Sequence, residues 1–353
     1  MFVAIFRTRN VTMNNKHKLI SLLSLYVQLQ EEEFILRQHL VLLVSWLTLH
    51  LFSSHDKTKT FHRKIGVQKR RWTKANHRRF QPKRSSVNIQ QFNIYDECGV
   101  MEDNFETVFQ RLKWHISSSR SGSGRSSQCV QLPRVRLLMC LHWMREHPKW
   151  KHLGGRFGVS PSVAYRDVNF LLPKLQEVMH GEIAWPKTDG MVIGWEGAVG
   201  AVDGTNHPRT RVHPHQADWY RRDKGFCMMG QVVCGLNGVL YQVDLLTGHN
   251  NDAGALVITG LKSLLVKTQM KLLGDLGYSH NSIITPDPFQ PQRWRNIQKG
   301  LRSVVETVIG LVKNWRVTSD TFRGYPELQA MAVMVCYQLT AMRLKDFPLR
   351  QEK

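Results

Sequence analysis

Two apolar runs, Phe226 to Cys234 and Val239 to Leu246, flank the pair Asn237-Gly238. An Asn-Gly pair adopts the positive backbone angles that a two-residue hairpin turn demands, so the runs predict paired antiparallel strands. That hairpin anchors a sheet in the second half of a 353-residue chain. The apolar pattern around it supplies the rest of an α/β unit. Gly197 to Val202 predicts a strand ending at Asp203, with Gly204 and Thr205 behind it. Asp252 begins a helix through Leu256, Leu261 and Leu264. Lys271 to Gly274 predicts a strand ending at Asp275, and Ile283 with Ile284 predicts another. Arg293 to Trp315 predicts a long helix, with Arg302, Glu306 and Lys313 on a polar face and Val305, Val308 and Val312 toward the core.

The first half reads differently. Met101, Phe105, Val108, Phe109 and Leu112 fall at helical spacing over 101–116, and SSSRSGSGRSS (117–127) reads as a flexible linker. Arg134 to Glu146 predicts a helix with Leu137, Leu138, Leu141 and Met144 inward, and Trp150 to Phe157 a short second one. Gly158 supplies a turn, Ser160 an N-cap and Pro161 a first helical residue. In the third helix Ala164, Val168, Leu171 and Leu175 make the buried stripe, and Pro173 is expected to kink or end it near Leu172. Ser162, Tyr165, Arg166 and Asn169 then face outward, as in a helix-turn-helix that reaches phosphates and base edges. An ordinary helical hairpin fits the same pattern.

The chain thus divides into a basic extension (1–91), a helical DNA-binding region (92–185) and an α/β domain (186–353). The formal net charge of +22 points to a polyanionic partner, and residues 55–85 are dense in Lys, Arg and His. That run reads as a nucleic-acid arm or a nuclear import signal, and the expected location is the nucleus. Leu40 to Phe52 is apolar but too short to cross a bilayer, and it lies behind Glu31 to Glu33, too far in for a signal peptide. The six cysteines form no CxxC pair, which argues against a zinc site or a disulfide framework.

Asp203, Asp275 and Glu306 occupy the end of one strand, the end of another and the last helix. Cutting a phosphodiester calls for a stabilised anionic transition state and an activated water or 3′-hydroxyl. Two divalent ions about 4 Å apart do both, and hard oxygen ligands hold them. Carboxylates that converge repel by about 4 kcal/mol per close pair at an effective dielectric near 20, and a bound cation removes that cost. Each acid also has an ordinary reading: Asp203 in a turn, Asp275 before a turn glycine, Glu306 paired with Arg302 one helical turn earlier.

AVDGT (201–205), GHNNDAGAL (248–256), LLGDLGY (272–278) and RSVVETVIGLVKNWR (302–316) resemble the catalytic domain of Harbinger-type (PIF/Harbinger) transposases and the host nucleases derived from them, within the DDE superfamily. HLGGRFGVSPSVAYRDV (152–168) is similar to the helix-turn-helix that precedes that domain. The resemblance covers roughly 92 to 350. It implies a ribonuclease-H-like fold and a DNA endonuclease using Mg²⁺ or Mn²⁺, with Asp203, Asp275 and Glu306 as catalytic acids. Asp252 matches a further acid, placed beside the metal or capping its helix. Arg302 and Lys313 are expected on the DNA backbone, and one of His207, His213 and His215 near a phosphate. A Myb-like DNA-binding partner protein is implied, and an oligomer is compatible with the pattern. The alternative is a descendant that binds DNA through the helix-turn-helix and no longer cuts.

Overall fold

The computed structural model describes residues 89–117, 132–186, 193–278 and 280–350. The apolar stretch at 40–52, the basic run at 55–85 and linker residues 118–127 lie outside them. Among the described residues no helix is long and apolar enough to cross a membrane.

The helical part holds α1 (Ile94–Cys98), α2 (Glu102–Ser117), α3 (Pro133–Glu146), α4 (Trp150–Arg156) and α5 (Pro161–Val178). α3 is buried almost all round from Val135 to Met144, the mark of a central helix. On α2, Phe105, Val108 and Leu112 point inward as expected, but Met101 precedes the helix and is exposed. α5 starts where its sequence says, with Ser160 Oγ accepting from Val163 N at 3.3 Å and Pro161 in the first turn. It does not end where expected: it runs through Pro173 to Val178. An internal proline costs about 3 kcal/mol. Leu171, Leu172 and Leu175, fully buried beside it, each contribute about 1.5–3 kcal/mol, enough to hold the helix together.

The sheet comprises β1 (Ala198–Pro208), β2 (Tyr220–Arg221), β3 (Gly225–Gly235), β4 (Leu240–Thr247), β5 (Lys271–Leu273) and β6 (Ile283–Ile284). A short helix, α6 (Gln216–Trp219), leads into β2. The main order across the sheet is β4-β3-β1-β5-β6, with β2 added to the start of β3. β3 runs antiparallel to β1 and β4, whereas β1, β5 and β6 are mutually parallel neighbours. β1 does not stop at Val202. It continues through Asp203 to Pro208 because β3 pairs with it along that whole length, as far as Pro208 opposite Cys227. The hairpin loop is one residue longer than expected. Gly235 N donates to Val239 O, leaving Leu236, Asn237 and Gly238 in the loop, and Gly238 sits at φ +93°. This is the three-residue alternative, with glycine in the left-handed position.

Helices cover both faces. On one, α7 (Asp252–Ile258) and α8 (Leu261–Thr268) pack Leu256, Leu261 and Leu265 against Val202, Val233 and Leu272. These were expected as one helix; Gly260, at φ +74°, separates them. On the other face lie α9 (Gln292–Lys313), α10 (Arg316–Ser319) and α11 (Pro326–Asp346). Val305, Val308 and Val312 of α9 meet Ala201, Val232 and Leu273 there. The same apolar core continues through α11 into α2, α3 and α5.

Candidate active site

The last paired residues of parallel strands β1 and β5 are Ala201 and Leu273. Two positions beyond each stands an aspartate, Asp203 and Asp275. The register therefore delivers both acids to the same edge of the sheet, roughly one inter-strand spacing, about 5 Å, apart. Past Ala201 no strand among the described residues pairs with the β5 side of β1, while β3 still holds the other side at Asp203 opposite Val232. A crevice at the carboxyl ends of parallel strands is where α/β sheets place ligands.

Asp252 reaches the crevice from α7. Asn251 is the cap, its Oδ1 accepting from Gly254 N at 2.7 Å, so Asp252 is not needed for that task. Its carboxylate lies against two glycines instead. A Cβ on Gly204 would stand 2.5 Å from Asp252 Oδ1; one on Gly277 would stand 2.8 Å from Asp252 Oδ2 and 3.0 Å from Asp275 Oδ1. Any side chain at either position would displace an acid. Asp275 Oδ1 is further fixed by accepting from Gly277 N at 2.9 Å.

Burial pushes Asp203 up to about 6, opposed by the Gly204 N–H at 2.8 Å and by Arg302, and reinforced by the charges of Asp275 and Glu306. Asp252 is raised as well, first by burial and then by Asp275, against Arg221 of β2. Glu306 lies on α9 with its side chain half exposed, bound to Arg302 Nη2 at 2.6 Å. The ordinary pairing is thus present. Among the described residues no three His, Cys, Asp or Glu side chains are gathered tightly enough to hold an ion as they stand. The four acids offer only hard carboxylate oxygens, a donor set suited to Mg²⁺ or Mn²⁺. Gly204 and Gly277 let Asp252 and Asp275 approach the backbone closely.

Two residues of this site escaped the sequence reading. Tyr278 is buried behind Gly277, and burial raises its pKa, with Asp252, Asp203 and Asp275 adding to the rise. Its hydroxyl faces Gln231, which pairs with Gly204 across the ladder and whose Oε1 accepts from Thr259 Oγ1 at 2.7 Å. A single glutamine inside the strand GFCMMGQVVCG was the available signal.

Two expected DNA contacts sit elsewhere. Lys313 turns inward, donating to Asn206 O and to Thr318 O at 3.2 Å, and burial lowers its pKa to about 8. Its ammonium joins β1 to α10 and is not presented to solvent as the helical pattern implied. His207 belongs to β1 and not to a loop. It is fully buried with Nδ1 2.9 Å from Thr318 O, and burial lowers its pKa to about 3, so it is neutral. His213 and His215 are exposed.

Residues 202–341 match the family of DDE superfamily endonucleases. No curated protein matches the chain. The endonuclease match begins one residue before Asp203, takes in Asp252, Asp275 and Glu306, and ends within α11. α1 to α5 lie outside it. On α5, Ser162 and Arg166 are exposed, and Arg166 Nε donates to Ser162 O at 3.3 Å. Asn169 Nδ2 donates to Tyr165 O at 2.7 Å, and Tyr165 stands edge-on to Trp150 with ring centroids 5.2 Å apart.

Proposed function

We propose that the chain is a divalent-metal-dependent DNA endonuclease of the Harbinger transposase type, built on a ribonuclease-H-like sheet. The observation that carries this reading is the shared register of Asp203 and Asp275, with Asp252 beside Asp275 at Gly277 and against Gly204, the neighbour of Asp203. The strand order, with one antiparallel hairpin beside three parallel strands, is consistent with that fold. In this reading Asp203 and Asp275 hold the metal jointly, Asp252 adds a ligand, and Glu306 completes the set once it leaves Arg302. Bound Mg²⁺ or Mn²⁺ would supply charge to stabilise the phosphoryl transition state and lower the pKa of a water. Arg302, released by Glu306, would pair with a DNA phosphate. Tyr278 and Gln231 lie buried behind the acids. α3 to α5 act as a helix-turn-helix through Ser162, Tyr165, Arg166 and Asn169, and the nucleus is the compartment where such a protein meets its substrate.

The Arg302–Glu306 pair favours a second reading, a DNA-binding descendant that no longer cuts. Nicking of supercoiled plasmid separates the two. The first reading expects nicks with Mg²⁺ or Mn²⁺, none in EDTA, and none from Asp203→Ala or Asp275→Ala proteins that melt normally. Nicking that survives both substitutions, or a wild-type chain that never nicks with either metal, would sink it.

A further inference from the structure

A second opening, of about 860 Å³, lies where α4 and α5 meet the end of β1 and the loop before α11. Its floor is a pile of rings. Trp143 stacks on Trp150 at 5.1 Å, and His147 lies flat on Phe322 at 5.5 Å. Two tyrosines line it: Tyr165 is 39% exposed and Tyr325 is 73% exposed. Lys149, Arg211 and Arg323 also line the opening; all three are exposed, and none has an ion-pair partner among the described residues. Arg209 lies buried beneath them, donating to Gln329 Oε1 at 3.0 Å and Gly324 O at 3.1 Å. The acid in the wall, Asp320, is engaged by Arg316 at 3.4 Å.

We propose that this groove is a binding site for unpaired DNA, separate from the acids, in which bases stack on Tyr325 and Tyr165 and phosphates meet Lys149, Arg211 and Arg323. Open aromatic faces beside cations are what sequence-tolerant single-strand binding uses. A duplex keeps its base faces stacked inside and has none to offer these rings. An acidic peptide would satisfy the cations and leave the tyrosines without partners. The proposal takes DNA as the substrate from the preceding reading but needs neither metal nor cutting. The groove has a fixed relation to the acids, because Arg209 stands six residues beyond Asp203 on the line of one strand. That is about 20 Å of extended chain.

The test uses the full chain in EDTA, with labelled oligo(dT), oligo(U) and a duplex of matching length. Tyr325→Ala and Arg323→Ala are each expected to weaken oligo(dT) binding about tenfold and to leave duplex binding within about twofold, while Tyr325→Phe binds as wild type. Photo-crosslinks from iodouracil oligonucleotides are expected at Tyr325, Tyr165 or Trp150. Equal losses on oligo(dT) and duplex, no loss at all, tighter binding of oligo(U), displacement of oligo(dT) by an acidic peptide, or crosslinks confined to 55–85 would overturn it. Plasmid nicking fails or succeeds independently of these measurements, so each proposal falls alone.

Discussion

Replacing Asp203 with Asn is expected to stabilise the metal-free protein, and only above a definite pH. Burial raises the Asp203 carboxyl from its ordinary 3.8 to about 6, with Asp275 and Glu306 adding to the effect. A carboxyl whose folded pKa lies above its unfolded value binds its proton more tightly in the folded state. Its ionisation therefore subtracts stability as pH climbs from about 4 through about 6, and the full penalty is present above that. At about 1.4 kcal/mol for each pH unit between the two pKa values, the penalty is about 3 kcal/mol. Asn carries no such charge and keeps an oxygen for the Gly204 N–H. In EDTA the Asp203→Asn protein should match wild type near pH 4 and exceed it by up to about 3 kcal/mol at pH 7.5. For a unit of this size that is roughly 6–12 °C in Tm. Mn²⁺ should close most of the gap. A ligand at a hundredfold excess over Kd adds about 2.7 kcal/mol to a protein that binds it, and the variant has lost a ligand. Thermal melts at several pH values, with and without Mn²⁺, read all of this. An Asp203→Asn protein less stable at pH 7.5 in EDTA, or more stable by an amount that does not change with pH, would refute the reasoning.

Gly204→Ala places a methyl group 2.5 Å from Asp252 Oδ1, so it should displace that carboxylate and reduce the Mn²⁺-induced rise in Tm; an unchanged rise would separate Asp252 from metal binding. Lys313→Met strands the Asn206 and Thr318 carbonyls and should cost about 1–3 kcal/mol by denaturant melt, whereas loss of DNA affinity without loss of stability would return Lys313 to the backbone-contact role. Because burial lowers Lys313 to about 8, wild-type stability should gain between about pH 8 and 10.5 as the folded state sheds its proton more readily, and the Met variant should show no such gain.

The sheet was legible because its signals are local. Asn237-Gly238 marks the hairpin, short apolar runs mark β1 and β3, and Ser160-Pro161 marks the start of α5. Its extent was less legible. Thr205, Asn206 and His207 look like loop residues, and only the pairing with β3 and the contacts from Thr318 keep them in β1. Pro173 misleads for the same reason: the leucines that outweigh it act through neighbours distant in the sequence. At the site, an acid after a core strand announces Asp203 and Asp275, but their shared register is a tertiary fact. Lys313 and Arg302 share a polar stripe on α9, and no periodicity tells which of them turns inward. Gln231 stood out as the one polar side chain in an apolar strand, whereas Tyr278, in a turn beside Gly277, carried no such signal.

The apolar core that begins under β1 and β3 passes without a break through α11 into α3 and α5. Residues that pack at that density transmit displacement and do not hinge. If α5 reads DNA and Asp203 cuts it, the two operate as fixed jaws of one caliper. The interval between the recognised base and the broken bond would then be set by the protein's own dimensions. A change in that interval would call for rebuilding the core, so neither a looser loop nor a longer linker would shift the position of the cut.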